Sequence, residues 1–219
     1  MIKTKILHLP KTGGTVLKST LVKNYTIHNR THMPSIIDGV YFCNHTEIHK
    51  NDNHSYIFIV RDPIDRFYSH FNYFKHGIKY DTAAHFVGPK KHKNLVSKNI
   101  NDFVLNPEKQ KFESFMFQHK NLSDMTQNID EDTNNIIMVG AMETLSDDFD
   151  RMKNIFKLDS NLSLSKTYTN RRPKNITTEK LTDESKVKLR EIFDDEYQSI
   201  LKLVNLGYLP EDYLNKINF

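Results

Sequence analysis

Between Ile6 and Val22 the chain reads Ile-Leu-His-Leu-Pro-Lys-Thr-Gly-Gly-Thr and then Val-Leu-Lys-Ser-Thr-Leu-Val. An apolar run breaks at Pro10, passes through a glycine pair and resumes at helical spacing, which predicts a strand, a tight loop and a helix. That order restricts the chain to folds in which a strand ends in a loop that opens a helix. It also makes an anion site, because glycines let successive backbone N–H groups turn inward and a helix N-terminus carries partial positive charge. Lys11 adds a mobile full charge. The lysine precedes the glycines, so no Gly-x-x-x-x-Gly-Lys-Ser/Thr pattern can be drawn, and an ordinary ATP or GTP site is not expected.

A second stretch has the same logic. Tyr56-Ile57-Phe58-Ile59-Val60 suits a buried strand, and Arg61-Asp62-Pro63-Ile64-Asp65-Arg66-Phe67-Tyr68-Ser69 follows it. Pro63 fits the first turn of a helix and Asp62 its cap. Arg66 and Ser69 then share one helix face, and Arg61 stands at the strand end. An arginine at a strand end with a serine hydroxyl further along the helix makes a second anion pocket, suited to a phosphate that accepts several hydrogen bonds. Two such pockets on one sheet imply a ligand with two separated phosphates.

At these residues the chain resembles the sulfotransferases that use 3'-phosphoadenosine 5'-phosphosulfate (PAPS). Pro10-Lys11-Thr12-Gly13-Gly14-Thr15 is similar to that family's 5'-phosphosulfate loop, and Arg61 through Ser69 to its 3'-phosphate motif. The nearest branch is the carbohydrate type, similar to the heparan and chondroitin O-sulfotransferases. Ile136-Ile137-Met138-Val139-Gly140-Ala141-Met142-Glu143 resembles that branch's strand ending in Gly, with a Glu three residues on. The resemblance implies that PAPS is the sulfuryl donor and 3'-phosphoadenosine 5'-phosphate (PAP) the product. The acceptor is then a hydroxyl, with a glycan favoured.

The resemblance also implies roles. Pro10, Lys11, Thr12, Gly13, Gly14 and Thr15 hold the 5' end of the cofactor, Thr12 and Thr15 with their hydroxyls as well, while Arg61 and Ser69 hold its 3'-phosphate. Lys11 neutralises charge on the leaving phosphate. Related carbohydrate enzymes place a base soon after the second strand, where this chain reads Asn44-His45-Thr46-Glu47-Ile48-His49. His45 matches that place and an imidazole accepts a proton near neutral pH, whereas other branches use a glutamate, which leaves Glu47 as the alternative. Tyr168 to Lys174 sits where similar enzymes close a basic loop over the cofactor, making Arg171 and Arg172 candidates. His45 and His49 have His-x-x-x-His spacing but no third ligand, so no metal is expected.

Composition limits the alternatives. The 219 residues fit one domain spanning 1–219, and 26% charged against 37% hydrophobic residues is outside the disordered range. Cys43 is the single cysteine, so there is no internal disulfide, and either a reducing compartment or indifference to redox state is expected. No apolar run reaches membrane-spanning length and no signal sequence precedes the first strand, so the expected location is cytoplasmic. A net charge of +4 suits an anionic cofactor. Basic clusters at Lys90 to Lys93 and Arg171 to Lys174 raise nucleic acid as a rival partner, but no nucleic-acid-binding motif accompanies them. Oligomeric state is not readable.

Strands are expected at Lys5 to Leu9, Val40 to Cys43, Tyr56 to Val60 and Ile136 to Val139. Helices are expected at Gly14 to Asn24, Pro63 to Phe74, Asn101 to Leu105, Glu108 to His119 and Ser146 to Ile155. A long C-terminal helix is expected from a Thr182 cap to Gly207, and Asp124 to Asn135 reads as a polar surface loop. The alternation gives an α/β fold: a P-loop-like, mainly parallel β-sheet flanked by helices. A P-loop-like nucleotide or small-molecule kinase shares this layout and is the alternative function; the missing Walker pattern and the Arg-Asp-Pro motif weigh against it.

Overall fold

Tyr56 through Val60 are all buried, as a continuous run of β-branched and aromatic residues requires of a strand covered on both faces. They belong to a sheet whose strands, in the computed structural model, are β1 (Lys3–His8), β2 (Ser35–Ile37), β3 (Val40–Asn44), β4 (His54–Val60) and β5 (Ile136–Ala141). The structure describes residues 3–24, 35–37, 39–44, 48, 53–76, 99–107, 121–164 and 178–217. The strand order is β2-β3-β1-β4-β5. Strands β3, β1, β4 and β5 run parallel, and β2 joins antiparallel to β3. The expected α/β fold with a mainly parallel sheet is therefore present.

The chain leaves β1 toward β3 on one side, crosses to β4 on the other and continues to β5. The neighbouring carboxyl ends of β1 and β4 therefore form a topological switch point, the place where open α/β sheets bind ligands. The pairing of Leu7 with Phe58 brings the residues after His8 and after Val60 together there.

Helix α1 (Gly14–Asn24) has the expected bounds. Helices α2 (Pro63–His76), α3 (Ile100–Leu105), α4 (Asn121–Thr126) and α5 (Leu145–Phe156) follow. Side chains alternate across the sheet, so its two faces have separate cores. Ile6, Ile57, Ile59 and Met138 pack with Leu17 and Leu21 of α1 and Phe149 and Met152 of α5. Leu7, Phe58, Val60 and Val139 face the other way, with Leu122 and Met125 of α4. Each such side chain contributes roughly 1.5–3 kcal/mol on burial. Cys43 of β3 lies in this second core, 5% exposed, and burial raises its thiol pKa.

The structure departs from the expectations in three places. The long C-terminal helix is two helices, α6 (Asp183–Ile192) and α7 (Asp194–Asn205), meeting at Phe193. Phe193 has ψ near 17°, off the helical value, and its ring is fully buried against Phe67. Asp194, Asp195 and Glu196 then give α7 an acidic first turn of its own. The expected ends of the pair hold. Thr182 Oγ1 accepts the Ser185 N–H at 3.2 Å, and Gly207, at φ 74°, closes α7 with Tyr208 N–H donating back to Leu203 O at 2.9 Å.

The second departure is β2, which no expectation covered. Gly39, at φ 83°, lies between it and β3. Third, the stretch read as a surface loop from Asp124 contains the end of α4, and Ile129 and Thr133 in it are buried. The helix expected at Glu108 to His119 lies outside the described residues, as does most of the irregular stretch after α2. Among the described residues no helix is long and apolar enough to cross a membrane.

Candidate active site

The loop after β1 is held from both sides by close contact. A Cβ on Gly13 would stand 2.8 Å from Met142 Sδ and 2.9 Å from Leu145 Cδ2, at the corner between β5 and α5. One on Gly14 would collide with the ring of His8. Space requires glycine at Gly14, and the φ of 81° favours it at Gly13. Thr12 is 1% exposed and its Oγ1–H donates to Leu9 O at 2.9 Å, so this hydroxyl, expected at the cofactor's 5' end, braces the loop from within instead. Gly13 O accepts the Leu17 N–H at 3.1 Å, which starts α1 at the loop's edge, and Thr15 is exposed in the first turn.

Lys11 is the unusual member. It has φ 67°, a left-handed conformation that a residue with a Cβ adopts only at a cost. Arg61, at the end of β4, holds that residue's backbone: its Nη1 donates to Lys11 O at 3.1 Å. The two motifs read from the sequence therefore meet at the switch point. Burial first, and then the Arg61 charge, lower the Lys11 pKa from 10.5 to about 8.

The Arg-Asp-Pro corner has its own supports. Asp62 caps α2 as expected, its Oδ1 accepting the Asp65 N–H at 2.8 Å, with Pro63 in the first turn. Asp62 Oδ2 accepts the Tyr197 hydroxyl of α7 at 3.2 Å. The Asp62 N–H donates to Glu143 Oε1 at 3.1 Å, and Glu143 Oε2 accepts the Tyr213 hydroxyl at 2.9 Å. Glu143 lies in the short 3-10 turn Met142–Thr144 after β5, and Tyr213 in a second such turn, Glu211–Lys216. Burial and the carboxylates beside them push both phenols well above their ordinary pKa, so both remain donors.

Arg66, in the same motif, is structural. It is 2% exposed, and its Nη2 meets Glu196 Oε2 at 2.6 Å. The other oxygen of Glu196 accepts the N–H groups of Leu122 and Ser123, capping α4. Ser69 is half-buried in the second turn of α2.

The structure thus brings Pro10 to Thr15 and Arg61 together, with Ser69 on the helix that leaves Arg61. His45, Glu47, Arg171 and Arg172 lie outside the described residues. Sequence reasoning missed the tyrosines, since Tyr213 and Glu143 are separated by 70 positions and no local pattern joins them. It also missed His8, whose ring against Gly14 could be suspected only from its place just before the loop. Among the described residues no group of His, Cys, Asp or Glu is set to hold a metal ion.

A comparison with curated proteins finds no match. A model of the Sulfotransferase family matches residues 4–207, from β1 to the glycine that ends α7. With more than half of its length matched, and with the Lys11 loop and the Arg61 segment both inside the match, the chain belongs to the sulfotransferase family.

Proposed function

We propose that this sulfotransferase moves the sulfuryl group of PAPS to a hydroxyl of a glycan, within a single domain spanning 1–219. The observation that carries the PAPS reading is the contact of Arg61 with the Lys11 carbonyl, which joins an anion loop and a second cationic site at one switch point. The residues present fit such a ligand. The loop opens directly into the N-terminus of α1, and Lys11 and Arg61 supply positive charge for a doubly phosphorylated group.

When bound, PAPS supplies the activated sulfuryl group that becomes the new sulfate ester. The 5' end is held by the loop N–H groups of Thr12 to Thr15, by the Thr15 hydroxyl and by the start of α1. Arg61 and Ser69 hold the 3'-phosphate, and Arg171 and Arg172 add charge over the cofactor. Lys11 stabilises negative charge as the bond to the leaving oxygen breaks. His45 takes the acceptor's proton, with Glu47 as the alternative base. His45 follows Asn44, whose Cα pairs with that of His8 just before the loop, and this supports a base on the same sheet edge. The single cysteine suits a cytoplasmic setting.

The function is tested by thermal shift. PAP should raise the unfolding temperature more than ATP with magnesium does; a larger shift with ATP favours the kinase alternative and overturns the PAPS reading. The base is tested by pH profile. His45→Ala should abolish the acidic limb of turnover while PAP affinity stays nearly unchanged. If Glu47→Gln is instead the inactive protein, and the limb of the wild type lies at carboxylate pH, the base is Glu47.

A further inference from the structure

Tyr213 stands beyond residues 4–207, the part of the chain that matches the family, yet its hydroxyl reaches the corner that carries Arg61. Its O–H donates to Glu143 Oε2 at 2.9 Å, and Glu143 Oε1 accepts the Asp62 N–H at 3.1 Å. That N–H belongs to the peptide joining Arg61 to Asp62. An unbroken hydrogen-bonded line therefore runs from the C-terminal turn to the backbone from which the Arg61 guanidinium projects.

Glu143 is exposed, and a carboxylate on an exposed turn has several rotamers open to it. Donors on both oxygens select one. Tyr213 is suited to the task because it is 1% exposed, so its ring is fixed by packing against the sheet core. Its phenol is held well above the ordinary pKa, first by burial and then by Glu143, so the proton stays on the tyrosine.

We propose that Tyr213 is a positioning residue of the anion site: through Glu143 it fixes the Arg61–Asp62 peptide and so aims the Arg61 guanidinium. This role rests on the reading of Arg61 as a ligand of the 3'-phosphate. A small angular error at the peptide is magnified along the arginine side chain, and the forked donor pattern of a guanidinium tolerates little of it.

The test is calorimetric binding of PAP and of adenosine 5'-monophosphate, which lacks the 3'-phosphate, to the full chain. Tyr213→Phe removes one oxygen from a buried ring. It should weaken PAP by about three- to tenfold, the scale of one hydrogen bond, and reduce the preference for PAP over the monophosphate. In an Arg61→Met background the same change should have no further effect on PAP. A tyrosine that only supports the fold would lower the unfolding temperature and leave PAP affinity unchanged, or would cost the same affinity in both backgrounds; either result overturns the proposal. Glu143→Ala, at an exposed position, should give a PAP loss at least as large, and the two losses should not add; unchanged affinity there also overturns it. A wild type with no preference for PAP over the monophosphate instead overturns the assignment of Arg61, and this role falls with it.

Discussion

Lys11→Ala is expected to lower turnover by about a hundredfold or more while PAP affinity falls far less, because charge on the leaving oxygen develops only in the transition state. The structure adds a pH signature. Burial, and then the Arg61 charge, hold the Lys11 pKa at about 8 in the ligand-free protein, so above that pH the amine is largely neutral. An arriving anion favours the ammonium, so PAP binding should take up a proton and weaken as pH rises through about 8. Calorimetry in buffers of different ionisation enthalpy measures that uptake, and Lys11→Ala should abolish it. The same shift affects the fold. Between about 8 and the ordinary 10.5 the native state binds fewer protons than the unfolded chain, so stability rises with pH across that window. The penalty of the half-buried cation is complete below it. A Lys11→Ala protein that loses affinity but keeps full turnover would show that the lysine serves binding alone.

Arg66→Ala should cost about 3–5 kcal/mol of stability, the range for removing one partner of a buried ion pair. The cost lies in what stays behind. Glu196 is 1% exposed, and without Arg66 its charge keeps, among the described residues, the N–H groups of Leu122 and Ser123 and the Ser123 hydroxyl. A double change, Arg66→Met with Glu196→Gln, removes both charges and keeps an acceptor for the start of α4. It should recover much of the loss in denaturant unfolding. PAP affinity of the folded Arg66→Ala protein should be close to wild type, since this arginine is paired with Glu196 of α7. A loss under 1 kcal/mol would mean that the pair is not a structural joint, and a selective loss of PAP would make Arg66 a ligand.

What the sequence made legible was local. The glycine pair, the proline at the start of α2 and the threonine cap at Thr182 each act on the next few residues, and the elements around them fall where expected. The division at Phe193 was not legible because apolar residues keep helical phase through it; only the burial of that ring against Phe67 shows why the backbone turns. Strand β2, at three residues, is too short for any periodicity to register. Within the candidate site, the motifs gave Lys11 and Arg61 but not the left-handed backbone at Lys11, since the sequence signal for that conformation is glycine or asparagine. Glu196 and Arg66 are 130 positions apart, and Tyr213 is 70 from Glu143. Such pairings are set by which helix packs on which strand, and a single chain of letters does not carry that.

Cys43 gives the molecule a reporter that needs no engineering. It is the only thiol among 219 residues, and it sits on β3, its Cα paired with that of Leu7, just before the chain enters the Lys11 loop. A thiol reagent reaches that sulfur only when the strand separates from its packing, so in the limit of fast reclosing the labelling rate measures the free energy of opening the sheet beside the loop. Comparing that rate with and without PAP would convert ligand binding into a local stability at one strand, read from the unaltered protein.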